Sequence, residues 1–371
     1  MRFPEFTEEW KEERLSKIAE LSKGVGISKE QLSEDGEPCI LYGELYTKYK
    51  SEIIHKVISK TNIESSNLKR SKRNDVIIPC SGETAIDIAV ARCVPFDNIL
   101  LGGDLNIIRL HKDDGAFMAY QLNGKRKIDI AKLAQGVSVV HLYGENIKAI
   151  KTYNPCLQEQ QKIVKLLSML DERIEVQNKI IEDLKKLKSA IYQEIFGSLV
   201  AQTLELGQVA EIIKGKQVNG TELLEQGEYY VMNGGTTPSG WLNRYNTEAN
   251  TISISEGGNS CGYVQYNTSR YWSGGHCYSL RILHPQETLD LYLYHFLKWQ
   301  EDNIMALRIG SGLPNIQKKD LLRFPVILPV INKQKSIISI LSVIDAKMAC
   351  DILLTEHYVI QKKYLLRKLF I

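Results

Sequence analysis

The sequence predicts an α+β fold: two mixed α/β domains separated by two long helices, packed as an antiparallel coiled coil about a pseudo-twofold axis. Three observations carry this. One plan is written twice along the 371 residues; each copy ends in a stretch free of Gly and Pro with helical apolar spacing; each copy opens with a block rich in strand and turn signals.

The repeat is clearest before the helical stretches. Pro155, Gln160, Ile163, Leu167, Ser168 and Asp171 fall in step with Pro329, Gln334, Ile337, Leu341, Ser342 and Asp345, and the same offset carries Phe196 onto Phe370. Upstream, Gly102-Gly103 with Arg109 matches Gly274-Gly275 with Arg281. Leu15 to Glu20, ending at Gly24, matches Leu206 to Glu211, ending at Gly215. Self-similarity at this scale sets the domain plan before any local reading. The offset shifts between blocks, so the globular halves differ by small insertions. The expected division is 1–154, globular; 155–197, helix; 203–328, globular; 329–371, helix.

In the first helical stretch Ile163, Leu166, Leu170, Ile174, Ile181, Leu184, Ile191 and Ile195 recur by threes and fours or their sums, a heptad-like stripe. Pro155 biases Asn154 away from helix and marks the entry; Gly197 supplies the stop. The rod is roughly 60 Å long at about 1.5 Å per residue. The second stretch, from about Ile331 to Phe370, carries a weaker stripe: Ile337, Ile340, Ile344, Met348, Tyr358, Leu365 and Leu369. Helices this long must bury their stripes, and pairing with each other does so. Gln177 interrupts the first stripe near its midpoint, and the repeat puts Asp351 there in the second. These two are the candidates for setting helix register by a hydrogen bond near the dyad; the alternative is that both face solvent.

In the first globular block the sequence predicts a short helix from Glu8 to Leu21, and buried strands at Asp75–Pro79, Ile99–Leu101 and Ser138–Leu142. The second is punctuated by turns at Asn233-Gly234-Gly235, Pro238-Ser-Gly240, Glu256-Gly257-Gly258 and Ser273-Gly274-Gly275, with a helix from Leu289 to Trp299.

Composition excludes several classes. With 43% hydrophobic and 25% charged residues the chain is an ordinary globular protein. A net charge of +3 rules out a polybasic protein but leaves room for a local basic stripe. Seven scattered cysteines, none at CxxC spacing, argue against a disulfide framework or zinc site and fit a reducing cytoplasm. Neither a signal peptide nor a membrane span is expected.

Candidate nucleic-acid contacts follow from charge and side-chain chemistry. Lys69, Arg70, Lys72 and Arg73 form one cluster; Lys125 and Arg126, with Lys127, form another. In the second block the cations stand singly: Lys214, Lys216, Arg244, Arg270, Arg308, Lys318 and Lys319, with Tyr229, Tyr230, Trp241, Tyr245, Tyr271 and Trp272 among them. Cations position a protein on phosphates, while Arg, Asn and Gln read base edges; hence Asn233, Asn259 and Asn315 join the candidates. A solvated surface for the cations and core packing for the aromatics are the competing readings.

Catalytic constellations are missing. No Gly-x-x-x-x-Gly-Lys-Ser/Thr loop is present. Asn154-Pro155 continues with Cys156, not with the Pro-Tyr/Phe of an amino-methyltransferase. No nuclease-like carboxylate cluster and no His-x-x-x-His pair occur. Ser81-Gly82-Glu83-Thr84 lacks the Gly-x-Ser-x-Gly frame. His276-Cys277 has no partner at ligand spacing. The chain reads as a binder, with no metal and no cofactor.

At this point the chain resembles the specificity subunits of type I restriction–modification enzymes. The carrying residues are Pro155, Glu159-Gln160, Ile163, Leu170-Asp171 and Ile174, then a Leu/Lys-rich helix ending Ile195-Phe196. In the first block Ser81–Ala89, Gly102–Asn106 and Gln135–His141 look like the family's target-recognition domains. In the second Asn233–Gly235, Gly257–Ser260, Gly274-Gly275 and Gly310–Ile316 do so. The resemblance implies that each domain reads half of a split, asymmetric target in double-stranded DNA. The helices would set the unread gap and dock two methyltransferase subunits that modify adenine, and endonuclease/translocase subunits would join for restriction. No chemistry would belong to this chain. The second helix departs at Lys333 for Glu159 and Thr355 for Ile181, which implies looser pairing or partner binding there. A coiled-coil scaffold with two protein-binding domains would show the same repeat; steep salt dependence would mark DNA binding instead.

Overall fold

The structure is a computed structural model that describes residues 2–64, 66–310 and 312–370. Position 311 of the Gly310–Ile316 segment, and positions 1, 65 and 371 of the expected domains, lie outside the described residues. The chain forms two compact units, Met1–Asn178 with Leu353–Ile371, and Lys179–Ile352. Each long helix, Leu157–Gly197 and Ile331–Lys368, therefore gives one portion to each unit.

In the first unit Lys11–Arg14 pairs antiparallel with Lys151–Asn154, in the register Lys11 to Asn154. One helical turn, Leu15–Ile18, buries Leu15 and Ile18, and the chain then enters the strand Ala19–Lys23. The helix expected over Glu8–Leu21 is corrected accordingly: only that one turn is helical. The strand pairs on either side of it supply backbone partners that no local window contains.

The main sheet runs Ala19–Lys23, Leu105–Leu110, Asp75–Pro79, Arg92–Val94, all antiparallel. Alternation along its strands divides their side chains between two cores. Val76, Ile78 and Ile108 meet Met118, Ala119 and Leu122 of the helix Gly115–Asn123. Ile77, Leu105 and Ile107 meet Ile40, Leu45, Ile54 and Leu101. Asp75–Pro79 is buried throughout for this reason.

The second unit repeats the plan. Gln202–Glu205 pairs with Pro325–Leu328, one turn spans Leu206–Val209, and the sheet runs Ala210–Lys214, Cys277–Ile282, Thr251–Ser255, Val264–Asn267. The strand order matches that of the first unit. The helix Asp290–Trp299 packs Phe296 and Trp299 on Phe196 at ring separations of 5.7 and 5.3 Å.

Within each unit the long helices run antiparallel. In the first, Ile163, Leu167 and Leu170 share a core with Leu365, Leu369 and Phe370; in the second, Tyr192 and Phe196 share one with Ile337 and Leu341. Ile340, expected in the stripe, is 51% exposed, and its neighbour Leu341 is the buried residue.

The repeated glutamine makes the same contacts in both copies. Gln160 Oε1 accepts from the Asp114 backbone N–H at 2.8 Å, and its Nε2 donates to the Pro155 carbonyl at 2.9 Å. Gln334 Oε1 accepts from the Leu289 N–H at 2.9 Å, and its Nε2 donates to the Pro329 carbonyl at 2.8 Å. Each buried amide thus clasps the start of a long helix to the N-cap of the short helix before it.

Candidate nucleic-acid interface

Tight glycine turns gather the loops at one end of each sheet. A Cβ at Gly215 would overlap the Gly274 carbonyl oxygen, and one at Gly24 would overlap that of Gly102. Only glycine lets these backbones approach so closely.

In the second unit this brings Asn233, Asn259 and Asn315 into one loop cluster. Asn233 Oδ1 accepts from the His276 N–H at 3.1 Å. Glu256 N donates to the His276 carbonyl at 2.9 Å, and Gly258 N to the Pro314 carbonyl at 3.0 Å. Asn315 exchanges backbone hydrogen bonds with Ile309 at 2.9 and 3.0 Å, next to the exposed Arg308. Lys214 borders the cluster through Glu256 at 2.7 Å.

Beside it stands a ladder of cations and rings. Trp272 Nε1 donates to the Lys216 carbonyl at 2.8 Å. The Arg244 guanidinium lies 5.1 Å from the Trp272 ring centre, and that of Arg270 lies 4.8 Å from Tyr245, whose ring is 5.0 Å from Tyr229. Arg244 pairs with Glu222 at 2.5 Å and Arg270 with Glu248 at 2.9 Å. The Glu248 carboxylate raises the Arg270 pKa above its ordinary value, so the side chain stays charged. Tyr230 and Tyr271 stack on each other instead, at 5.5 Å, and Tyr271 is buried.

The corresponding turns of the first unit hold different side chains. Gln135 and His141 exchange backbone bonds at 2.9 and 2.7 Å, as Ile309 and Asn315 do. The helix offset places Gln135, Gly136 and His141 on Ile309, Gly310 and Asn315, so His141 holds the position of Asn315. Its ring lies 6.3 Å from that of Tyr143, and the Lys23 ammonium lies 5.9 Å from the Tyr143 ring. Lys23, His141 and Tyr143 lie outside the charge runs; the helix offset is the sequence signal that marks His141 as the counterpart of Asn315.

The basic clusters of this unit spread apart. Lys69 and Arg70 form a short strand opposite Leu101 and Leu100, just before the Gly102-Gly103 turn. Arg70 pairs with Glu37 at 2.6 Å, and this raises its pKa. Lys72 and Arg73 are exposed in the turn that enters Asp75–Pro79, at the other end of that strand from Ser81-Gly82. Lys125 is exposed beyond the helix Gly115–Asn123, and Arg126 pairs with Asp129 at 3.1 Å and covers Tyr153 at 5.3 Å.

Gln177 and Asp351 are both buried, so neither faces solvent; Asp351 accepts from Lys347 of its own helix at 2.6 Å. Inside the units a different polar pair joins the helices, and it too is repeated. Lys362 bridges Asp171 and Glu52 in the first unit, and Lys188 pairs with Asp345 in the second. Asp171 and Lys188 fall on Asp345 and Lys362 at the helix offset.

Burial pushes the Cys80 and Cys277 thiols near the turns up to about 11, so both stay protonated near neutrality. Among the described residues no three His, Cys, Asp or Glu side chains gather as a metal site would need. Nor is any helix among them long and apolar enough to cross a membrane.

Two copies of one mixed domain, each followed by a long helix and each gathering glycine turns at one sheet end, define a duplicated two-domain architecture. The family model for the type I restriction modification DNA specificity domain matches residues 7–186 and 201–352, and the chain belongs to that family. A putative type I specificity subunit of Mycoplasma pneumoniae is 38% identical over 144 residues, which is 38% of this chain and 38% of that protein. A second, of Mycoplasma genitalium, is 35% identical over 140 residues, 37% of this chain and 36% of its own length. The chain thus aligns with well under two thirds of either relative. The crystal structure of the type I restriction–modification S subunit from M. genitalium superposes with a TM-score of 0.71 at 20% identity, over 100% of this chain and 97% of that one. A chain from a structure of the type I system, concerned with its assembly and conformational transition, gives 0.57 at 16% identity over 98% and 97%. These likenesses establish the fold.

Proposed function

We propose that this chain is the non-catalytic, DNA-reading subunit of a type I restriction–modification complex, each domain reading one half of a bipartite, asymmetric target. The observation that carries the reading is the doubled loop cluster: the same glycine turns and the same bridge, at 135–141 and 309–315, presenting His141 in one unit and Asn315 in the other. One scaffold with different readers is what two unlike half-sites require. Asn233, Asn259, Asn315 and His141 supply donors and acceptors for base edges. Lys69, Arg70, Lys216, Arg244, Arg270 and Arg308 supply phosphate contacts. The remaining cations, Lys72, Arg73, Lys125 and Arg126, serve outer phosphates.

On this reading the long helices set the number of unread base pairs. One helical turn, about 5.4 Å, corresponds to one or two base-pair steps of about 3.4 Å. The helices also dock two methyltransferase subunits, and restriction subunits join the assembly in the cytoplasm.

The test is a methylome. The chain is co-expressed with its methyltransferase subunit, and host DNA is sequenced for modified adenine. A new motif of two short defined halves around a fixed gap is expected. An assembled complex that leaves the methylome unchanged would overturn the proposal.

A further inference from the structure

In the first unit the beginning of the first long helix is covered by residues 2–10. Arg2 pairs with Glu159 at 2.7 Å, and Trp10 Nε1 donates to the same carboxylate at 3.3 Å. Glu5 pairs with Lys162, whose ammonium lies 4.7 Å from the Phe3 ring centre. Phe3 and Leu166 both pack on the core that holds Ile163. Glu159 is left with no exposed surface.

The second unit has the same place without the cover. At the helix offset Glu159, Ile163 and Leu166 become Lys333, Ile337 and Ile340, while Lys368 and Leu369 become Glu194 and Ile195. With Val200 these residues line an open groove of about 450 Å³. Ile340 is 51% exposed and Val200 96%. The reason lies in chain length. Residues 2–10 precede the strand Lys11–Arg14, but only residues 198–201 separate the first long helix from the matching strand Gln202–Glu205. That link forms one wall of the groove through Ser198, Leu199 and Val200 and leaves Ile340 half exposed.

We propose that this groove takes a short segment of a partner protein that carries an aromatic side chain beside a carboxylate. The occupied site gives the shape of the guest: a charged residue, then a ring packed on the core at Ile337, as Phe3 is packed on the core that holds Ile163. The empty site exchanges the positions of its two charges, because Lys333 stands for Glu159 and Glu194 for Lys368, so the guest's carboxylate belongs on the Lys333 side. Residues 2–10 of a second copy would set Arg2 against Lys333, and like charges at such a contact oppose binding. Where Glu5 meets Lys162 the groove has the neutral Ser336, so the guest needs no second carboxylate there.

The experiment uses the full chain and two labelled synthetic peptides, followed by fluorescence polarisation and by methyl NMR of the isoleucines. One peptide copies residues 2–10; the other carries Arg2→Glu and Glu5→Gln. The charge-inverted peptide is expected to bind about tenfold more tightly than the copy, and Lys333→Glu to reverse that order. Lys333→Glu installs in the second repeat the residue that the first already carries, on an exposed position, so the fold tolerates it. Ile340→Asp, which spoils the apolar floor alone, is expected to weaken both peptides. Equal binding of the two peptides, no saturable binding at millimolar peptide, or a preference unmoved by Lys333→Glu would each overturn the proposal.

Discussion

Single side chains decide how firmly each domain holds its helix. Gln334 is fully buried and makes three hydrogen bonds: with the Leu289 N–H, the Glu287 carbonyl and the Pro329 carbonyl. Gln334→Ala leaves those backbone groups without partners, so it should destabilise the protein by about 1–3 kcal/mol in urea unfolding. His295 makes a pH-dependent contribution. It is 1% exposed, its Nδ1 lies 3.0 Å from the Tyr192 hydroxyl, and burial, reinforced by Lys188, lowers its pKa from 6.5 to about 4. The unfolded chain therefore takes up a proton on this ring before the folded chain does. Its contribution is intact above pH 6.5 and is lost as pH falls from there towards 4. Stability should fall by about 2 kcal/mol between pH 7 and 5 on this account, at about 1.4 kcal/mol per pH unit. The difference between the native chain and His295→Gln across that range isolates the effect; parallel pH profiles would refute it.

At the scale of elements the helix pair repeats its contacts but not their burial. Lys362 has a side chain 12% exposed and sits between Glu52 and Asp171, at 8% and 6%. Lys188, at 14%, faces an Asp345 that is 37% exposed. Lys362→Met strands two buried carboxylates and should cost about 3 kcal/mol. Lys188→Met leaves a carboxylate that water can reach and should cost about 1 kcal/mol or less. Equal losses in chemical denaturation would contradict this assignment. These pairs also show how far the sequence was legible. The long helices were readable because burial of a helix face imposes a period, and Leu157–Gly197 follows it closely. The segment from Glu8 to Leu21 was not, because its strands are completed by partners such as Asn154 for Lys11, far along the chain. Ile340 carried the right hydrophobicity but points outward; periodicity cannot tell which of two adjacent apolar residues faces in. The Asp–Lys pairs were hidden for the opposite reason. Their residues lie in step in the repeat, yet which of many charged side chains cross between helices depends on a rotation that spacing alone does not determine. The loop cluster was half legible: glycine turns marked the positions of Asn233, Asn259 and Asn315, whereas charge runs drew attention to Lys72 and Arg73, at the far end of their strand.

For the whole molecule the proposed DNA contact makes a prediction about salt. Binding that neutralises phosphates releases counterions, and each contact contributes a slope of about −0.9 in log Kobs against log salt. Arg244 and Arg270 are charged and stacked on rings, Arg244 on the Trp272 whose indole bonds the Lys216 carbonyl, but each is now satisfied by a glutamate. To meet a phosphate they must leave those carboxylates, so part of the interaction with DNA is offset by the ion pairs given up. Both pairs are exposed, and exposed pairs contribute little against solvent screening, so the exchange favours the polyanion. Arg244→Ala with Arg270→Ala should lower affinity for specific and random DNA alike and flatten the salt slope by about two units. Lys69→Ala with Arg70→Ala should act in the same way from the other unit. Glu248→Gln supplies the opposite arm: it frees Arg270 and removes a negative charge beside the ladder, so it should raise affinity at low salt and do so equally for every sequence. If the arginine variants keep the slope of the native chain while Glu248→Gln changes nothing, the ladder is a surface ornament of the second domain, and the DNA path must run over the amide-bearing turns alone.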